Sequence, residues 1–172
     1  KDQKHLTDKQ KIDLTNKVCS ITNKQHGITN EDSILDEFCK LSEKTIQNTQ
    51  EWVNIPISIE NPQLPIEWCL IGKYDGITND NELVEAKMRQ KALFKKVRDY
   101  ENVQVQLYLH ALSFEQAYLV EAYTNKKGER NIYVNEIKYD SDYTNEIILD
   151  RLKKFITFFE FLMSNDILKE AL

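Results

Sequence analysis

The stretch GKYDGITNDNELVEAKMRQK, residues 72–91, places Asp75 between Tyr74 and Gly76, follows it with a polar turn, and then sets Glu85, Ala86 and Lys87 on a short apolar run. Asn79-Asp80-Asn81 has turn chemistry, and the residues on either side suit strands, so the stretch predicts a β-hairpin. With a loop from Thr78 to Glu82, Ile77 faces Leu83 and Asp75 faces Glu85. Residues opposed in this way lie about 4.5–5.5 Å apart at Cβ, and Lys87, two positions beyond Glu85, points to their face. Val84, Ala86 and Met88 take the other face, where Leu70 and Tyr74 are expected to join them in an apolar layer under a helix.

Two opposed carboxylates on a half-buried sheet cost about 0.2–1 kcal/mol as a surface pair and more as water is excluded. A divalent cation offsets that cost, and an all-oxygen set suits Mg²⁺ or Mn²⁺, whereas nothing here offers the Cys and His ligands that Zn²⁺ prefers. Lys87 beside such an ion would hold or deprotonate a water molecule and stabilise charge developing on a phosphate. On its own, an aspartate followed by E-x-K reads more simply as a pre-turn acid and a same-face salt bridge worth about 0–1 kcal/mol.

Outward from the hairpin, Trp52–Ile59 predicts one strand, Pro62 and Pro65 mark a loop, and a second strand runs from about Glu67 to Ile77, with Leu83–Met88 as the third. From about Val97 the period changes to four: Val103, Leu107, Ala111 and Phe114 predict a helix. Ala117–Thr124 and Asn131–Tyr139 form a second hairpin around residues 125–129. A final helix from about Tyr143 carries a wide apolar face, with Phe155, Phe158, Phe159 and Phe161 expected in the core. Ahead of the strands, residues 8 to about 23 predict a helix that ends before Gln25-His26-Gly27. A second helix, capped by Thr29 or Asn30 with Glu31 and Asp32 in its first turn, runs to about residue 48. His26 is read as a loop residue without a role. The order α-α-β-β-β-α-β-β-α predicts an α/β (α+β) fold with a mixed central sheet flanked by helices.

A length of 172 residues suits one domain, 1–172, and the start at Lys1 fits a piece of a longer protein. Hydrophobic and charged residues make up 41% and 30% of the chain, and no stretch reaches the roughly 20 apolar residues of a membrane span, so no membrane partner is expected. Cys19, Cys39 and Cys69 are odd in number and dispersed, which fits reduced thiols in an intracellular setting, cytoplasmic or nuclear, of cellular, viral or phage origin. The net charge of −5 argues weakly against broad nucleic-acid binding. Locally the balance reverses: Lys87, Arg89, Lys91, Lys95, Lys96 and Arg98 form a basic run with no acid before Asp99, where a phosphate backbone could be held.

Gln104 and Tyr108 are four apart on the predicted helix and so share one face, next to the hairpin. The set of G-x-x-D-G at 72–76, E-A-K at 85–87 and Q-x-x-x-Y at 104–108 resembles the PD-(D/E)XK nuclease superfamily, in its RecB-type and lambda-exonuclease-type branch. The match covers about Gly27 to Tyr139. It implies a restriction-endonuclease-like core and a DNA-hydrolysing enzyme, exonuclease or endonuclease, of the kind used in DNA repair and recombination. It also implies Asp75, Glu85, the Ala86 carbonyl and Glu31 as ligands of Mg²⁺ or Mn²⁺, with Lys87 serving the attacking water and Gln104 and Tyr108 lining the cleft. Glu31 enters as the acid that relatives carry on an earlier helix; it shares a stripe with Leu35 and Phe38 and so faces inward.

Tyr74 stands where the motif's name has proline, and three cysteines do not make the four-cysteine cluster of some relatives. Two other readings stay open: an RNA endonuclease of the cap-snatching kind, and a catalytically silent binding or assembly module of the same fold. A fused or associated helicase or other domain is compatible with each.

Overall fold

The computed structural model describes residues 7–165, and the side chains of Asp8 and of residues 19–29 lie outside the description. One long helix, α1 (Asp8–Ser42), leads into β1 (Ile46–Thr49), β2 (Trp52–Ile57), β3 (Trp68–Lys73), β4 (Gly76–Thr78) and β5 (Leu83–Arg89). Then follow α2 (Asp99–Leu112), β6 (Gln116–Thr124), β7 (Arg130–Lys138), a π-helical stretch (Tyr143–Leu149) and α3 (Asp150–Ser164). Five strands form a mixed sheet in the order β1-β4-β5-β6-β7, with β5 and β6 parallel and the other neighbours antiparallel; β2 and β3 form a separate hairpin. This is the α/β arrangement that the sequence predicts, a mixed sheet flanked by helices.

The two sheet faces differ. Val84 and Ala86 of β5 pack with Tyr118, Val120 and Ala122 of β6 under Ile34, Leu35 and Phe38 of α1. On the opposite face, Leu83, Leu119 and Ala117 meet Val105, Tyr108 and Leu109 of α2. The alternation of β5 thus sends Glu85, Lys87 and Arg89 toward the α2 side, because successive side chains of a strand point to opposite faces.

Several expectations are corrected. No break interrupts α1 at Gln25-His26-Gly27, and neither Thr29 nor Asn30 caps a new helix. A glycine in a helix interior costs about 1 kcal/mol relative to alanine but keeps its N–H, so Gly27 weakens the helix without ending it. The helix stops at Ser42, short of residue 48, with Glu43 in the left-handed region at φ 59° as its C-cap, and residues 46–49 form an edge strand. Ile12, Leu14 and Val18, in the N-terminal part of α1, are exposed.

The expected strand from Glu67 to Ile77 divides in two, β3 pairing with β2 and β4 pairing with β5. Leu70 therefore packs with Ile55, Ile57 and Leu107, and Tyr74 joins the α2-side core, so neither lines the layer under α1. Phe155, Phe158 and Phe161 are exposed; α3 instead buries Ile156 against the β2–β3 hairpin, and Phe159 meets Trp68 edge-on at 5.7 Å. Cys39 and Cys69 are free thiols. No helix among the described residues is long and apolar enough to cross a membrane.

Candidate active site

The register of the central hairpin is the expected one, Ile77 opposite Leu83 and Gly76 opposite Val84. Asp75 lies one residue outside this ladder, at the bend where the chain leaves β3 for β4. There its Oδ2 accepts the Ala86 N–H at 2.8 Å, which fixes the carboxylate against β5. Glu85 is 1% exposed, and Lys87 Nζ reaches back to its Oε2 at 3.0 Å. Two acids and a lysine from either side of the turn therefore meet on the face covered by α2.

The helix supplies the rest. Gln104 Nε2 donates to Glu85 Oε2 at 3.2 Å and to the Tyr108 hydroxyl at 3.3 Å. That hydroxyl also accepts the Lys73 N–H at 3.2 Å and donates to the Lys73 carbonyl at 3.1 Å, tying the end of β3 to α2. The tyrosine ring fits only because residue 72 is glycine: a Cβ there would run into the ring. A shallow cleft of about 240 Å³, lined in part by Gly72, Tyr100, Gln104 and Tyr108, opens beside these groups.

Glu31 approaches from α1. Its Oε2 accepts from Gln50 Nε2 at 3.2 Å, and the same nitrogen donates to Asp75 Oδ1 at 3.1 Å. Gln50 thus links the two acids, an arrangement that the sequence gives no sign of, because the residue follows a weak edge strand.

Charge is crowded here. Burial pushes the Glu85 carboxyl up to about 7 against the pull of Lys87, and it also raises Asp75. Glu31 is raised by burial and then by the nearby Asp75 charge. For Lys87, burial disfavours the ammonium, but Glu85 and Asp75 outweigh it and the group stays protonated. Among the described residues Glu85 Oε1 is buried without a hydrogen-bond partner, although Oε2 of the same carboxylate has two.

The basic run separates into two kinds of residue. Lys91, Lys95, Lys96 and Arg98 are exposed. Arg89 is not, and its expected contact with nucleic acid is corrected: its guanidinium pairs with Glu101 at 2.6 Å and Glu121 at 2.9 Å under the loop that follows β5. Glu121 also accepts the Phe94 N–H at 2.8 Å, and the Phe94 ring lies between the Arg89 and Arg98 guanidinium groups. Gln106, between Gln104 and Tyr108 in sequence, turns away and fastens Lys138 and Asp140.

No family model and no curated protein matches the sequence. Among solved structures, the chain is similar to an alkaline exonuclease from Laribacter hongkongensis at 13% identity and a TM-score of 0.56, covering 83% of this chain and 74% of that one. It is also similar to the protein SSO0001 at 16% identity and a TM-score of 0.49, covering 76% of this chain and 58% of that one. The chain therefore spans little more than half the length of SSO0001. The likeness to the exonuclease is one of fold.

Proposed function

We propose that the chain is a divalent-metal-dependent deoxyribonuclease of the PD-(D/E)XK kind, hydrolysing phosphodiester bonds of DNA. One observation carries the reading: a buried carboxylate oxygen, Glu85 Oε1, stands without a hydrogen-bond partner among the described residues, beside Asp75 and Lys87. A buried polar atom left without a hydrogen bond is costly, although the other oxygen of this carboxylate is paired with Lys87 and Gln104, so the open oxygen is capacity for a ligand. The likeness in fold to an alkaline exonuclease supports the same reading.

The residues fit Mg²⁺ or Mn²⁺. Among the described residues no group of three or more His, Cys, Asp or Glu side chains is arranged to hold a metal ion. Mg²⁺ does not need one, since it is commonly held by one or two carboxylates and keeps several waters. Asp75, Glu85 and the Ala86 carbonyl would hold the ion, with Glu31 reaching the site from α1. When bound, it neutralises phosphate charge and polarises the scissile group.

The chain's own groups do the rest. Lys87, held protonated between acids, positions the attacking water and offsets charge that develops on the phosphate. Gln104 fixes Glu85 and Tyr108 fixes the end of β3, and both would stand beside the strand to be cut. Lys91, Lys95, Lys96 and Arg98 would hold the phosphate backbone beyond β5.

The test is a panel of single- and double-stranded DNA and RNA, linear and circular, with Mn²⁺ or with EDTA. The expected result is Mn²⁺-dependent DNA cleavage that falls about 10²–10⁴-fold in Lys87→Ala. A Lys87→Ala protein cutting at the wild-type rate would overturn the assignment. Cleavage of RNA alone would favour the cap-snatching-like reading, and absence of cleavage with Mn²⁺ binding indifferent to Asp75→Asn would favour a silent module.

A further inference from the structure

The side chain of Gln50 is the unexpected member of the site. Residues 49–51 carry the chain from β1, in the main sheet, to β2, in the separate hairpin, and residues 73–75 carry it from β3 to β4 in the reverse direction. The two crossings are bound to each other, Gln50 N–H to the Asp75 carbonyl at 3.4 Å and Tyr74 N–H to the Glu51 carbonyl at 3.2 Å. Gln50 is thereby held beside Asp75 with φ at 56°, the left-handed region that favours glycine or asparagine and costs other residues of order 1–3 kcal/mol. A glycine would relieve the backbone but would carry no amide.

That amide occupies Asp75 Oδ1 and Glu31 Oε2. The other Asp75 oxygen is already engaged by the Ala86 N–H, so Oδ1 is the one open to a ligand. The –NH₂ group has two donors and no formal charge, so it can serve two carboxylates at once without closing the site as a lysine would. Its nitrogen holds the oxygens at 3.1 and 3.2 Å, whereas Mg²⁺ draws its oxygen ligands to about 2.0–2.1 Å. A single cation drawing both oxygens to that distance would stand between them, where the amide nitrogen now stands.

We propose that Gln50 is a placeholder: its amide fixes the Glu31 and Asp75 carboxylates in the metal-free protein and gives way when a divalent cation takes the same oxygens. The proposal rests on the metal-site reading above. It makes Gln50 a positioning residue whose removal strengthens cation binding, the opposite of what removal of a ligand does. The cation must displace two charge-assisted hydrogen bonds in the wild type and none in a variant without the amide.

The test is calorimetric titration of Mn²⁺ into the wild type, Gln50→Ala, Gln50→Gly and Asp75→Asn, with melting temperatures measured in EDTA. Both Gln50 variants are expected to bind Mn²⁺ about five- to thirtyfold more tightly than the wild type. In EDTA, Gln50→Ala is expected to melt lower than the wild type and Gln50→Gly to recover part of the loss, because glycine is at ease at this φ. Equal or weaker binding in Gln50→Gly, or a Gln50→Gly protein that does not fold, would overturn the placeholder while a wild-type site sensitive to Asp75→Asn remained. Wild-type protein without Mn²⁺ binding, or with binding indifferent to Asp75→Asn, would overturn the metal site and the placeholder together.

Discussion

Strand β5 carries two charged clusters on one face, two residues apart, and they are built differently. Around Arg89, two buried acids close on one guanidinium: Glu121 has its oxygens taken by Arg89, Phe94 N–H and Asn135, and Glu101 pairs with Arg89 and accepts the Arg98 N–H at the start of α2. Among the described residues, Arg89 Nη2 is the one buried polar atom of this cluster without a partner, and the guanidinium it belongs to stacks on Phe94 at 4.1 Å. Around Lys87, three acids share one ammonium and two neutral amides, those of Gln50 and Gln104, and a carboxylate oxygen is left over. Burial raises Glu85, whereas Arg89 and the Arg98 N–H outweigh burial and hold Glu101 below its ordinary value. Residue types barely separate the clusters. Completeness of pairing does: the closed one is mortar for the loop and α2, and the open one has capacity for a ligand.

The largest effect is expected at Arg89. Removing one member of a buried, hydrogen-bonded ion cluster leaves the other charges without compensation, which costs about 3–5 kcal/mol. Arg89→Met is therefore expected to lose that much stability in urea unfolding. A loss below about 1 kcal/mol would show that the cluster is not structural mortar.

The opposite sign is expected four strand positions before it, at Glu85 of the open cluster. Glu85 has a folded-state pKa raised from 4.5 to about 7, so the folded protein holds this proton to higher pH than the unfolded chain. Its contribution to stability is fully present below the unfolded value and is lost as pH rises through about 7. In EDTA, Glu85→Gln should remove that slope and leave the protein at pH 8 as stable as the wild type or more so, by about 1–3 kcal/mol, with DNA cleavage abolished. Urea unfolding at pH 5 and pH 8 decides it: a variant less stable at pH 8, with the slope intact, would place Glu85 among the structural pairs.

The open cluster is the more legible of the two in the sequence. Asp75, Glu85 and Lys87 stand at spacings that a hairpin converts into proximity, and Gln104 and Tyr108 at a spacing that a helix converts into one face; both conversions are local. Arg89 reads as one more cation of the basic run because its partners, Glu101 and Glu121, come from elements whose approach no local pattern reports. Gln50 is invisible for the same reason, since the crossing of two strand connections places it. The division of residues 67–77 between two sheets also escapes a reading by alternation, which tells the face of a side chain but not the partner of a strand. For α3, the three exposed phenylalanines satisfy a helical period without being buried by it.

A smaller effect sharpens the boundary of the open cluster. Tyr108→Phe keeps the ring under Gly72 and removes only the hydroxyl that bridges Lys73 and Gln104. Loss of such a bridge costs about 0.5–1.5 kcal/mol. A stability loss in this range, with a larger proportional loss of cleavage than of Mn²⁺ affinity, is expected if the hydroxyl positions the end of β3 for the strand. Equal losses in both would make it part of the metal site's support.

The smallest effect on the fold belongs to Lys95 and Lys96, which lie on the loop that the closed cluster fastens but are themselves exposed. Their charges are solvated in the folded and unfolded chains alike, so a Lys95→Gln, Lys96→Gln double variant is expected to melt within about 2 °C of the wild type, in line with the usual ±0.5 kcal/mol of surface changes. Each lysine that meets a phosphate releases a counterion, and the slope of log affinity against log salt should become shallower by about 0.9 for each such lysine neutralised. A change of about 1.8 in that slope for double-stranded DNA, without a change in melting, would mean that the arginine cluster holds its loop in place so that the lysines can meet a backbone. An unchanged slope would remove this loop from the nucleic-acid surface and leave the closed cluster a purely internal joint.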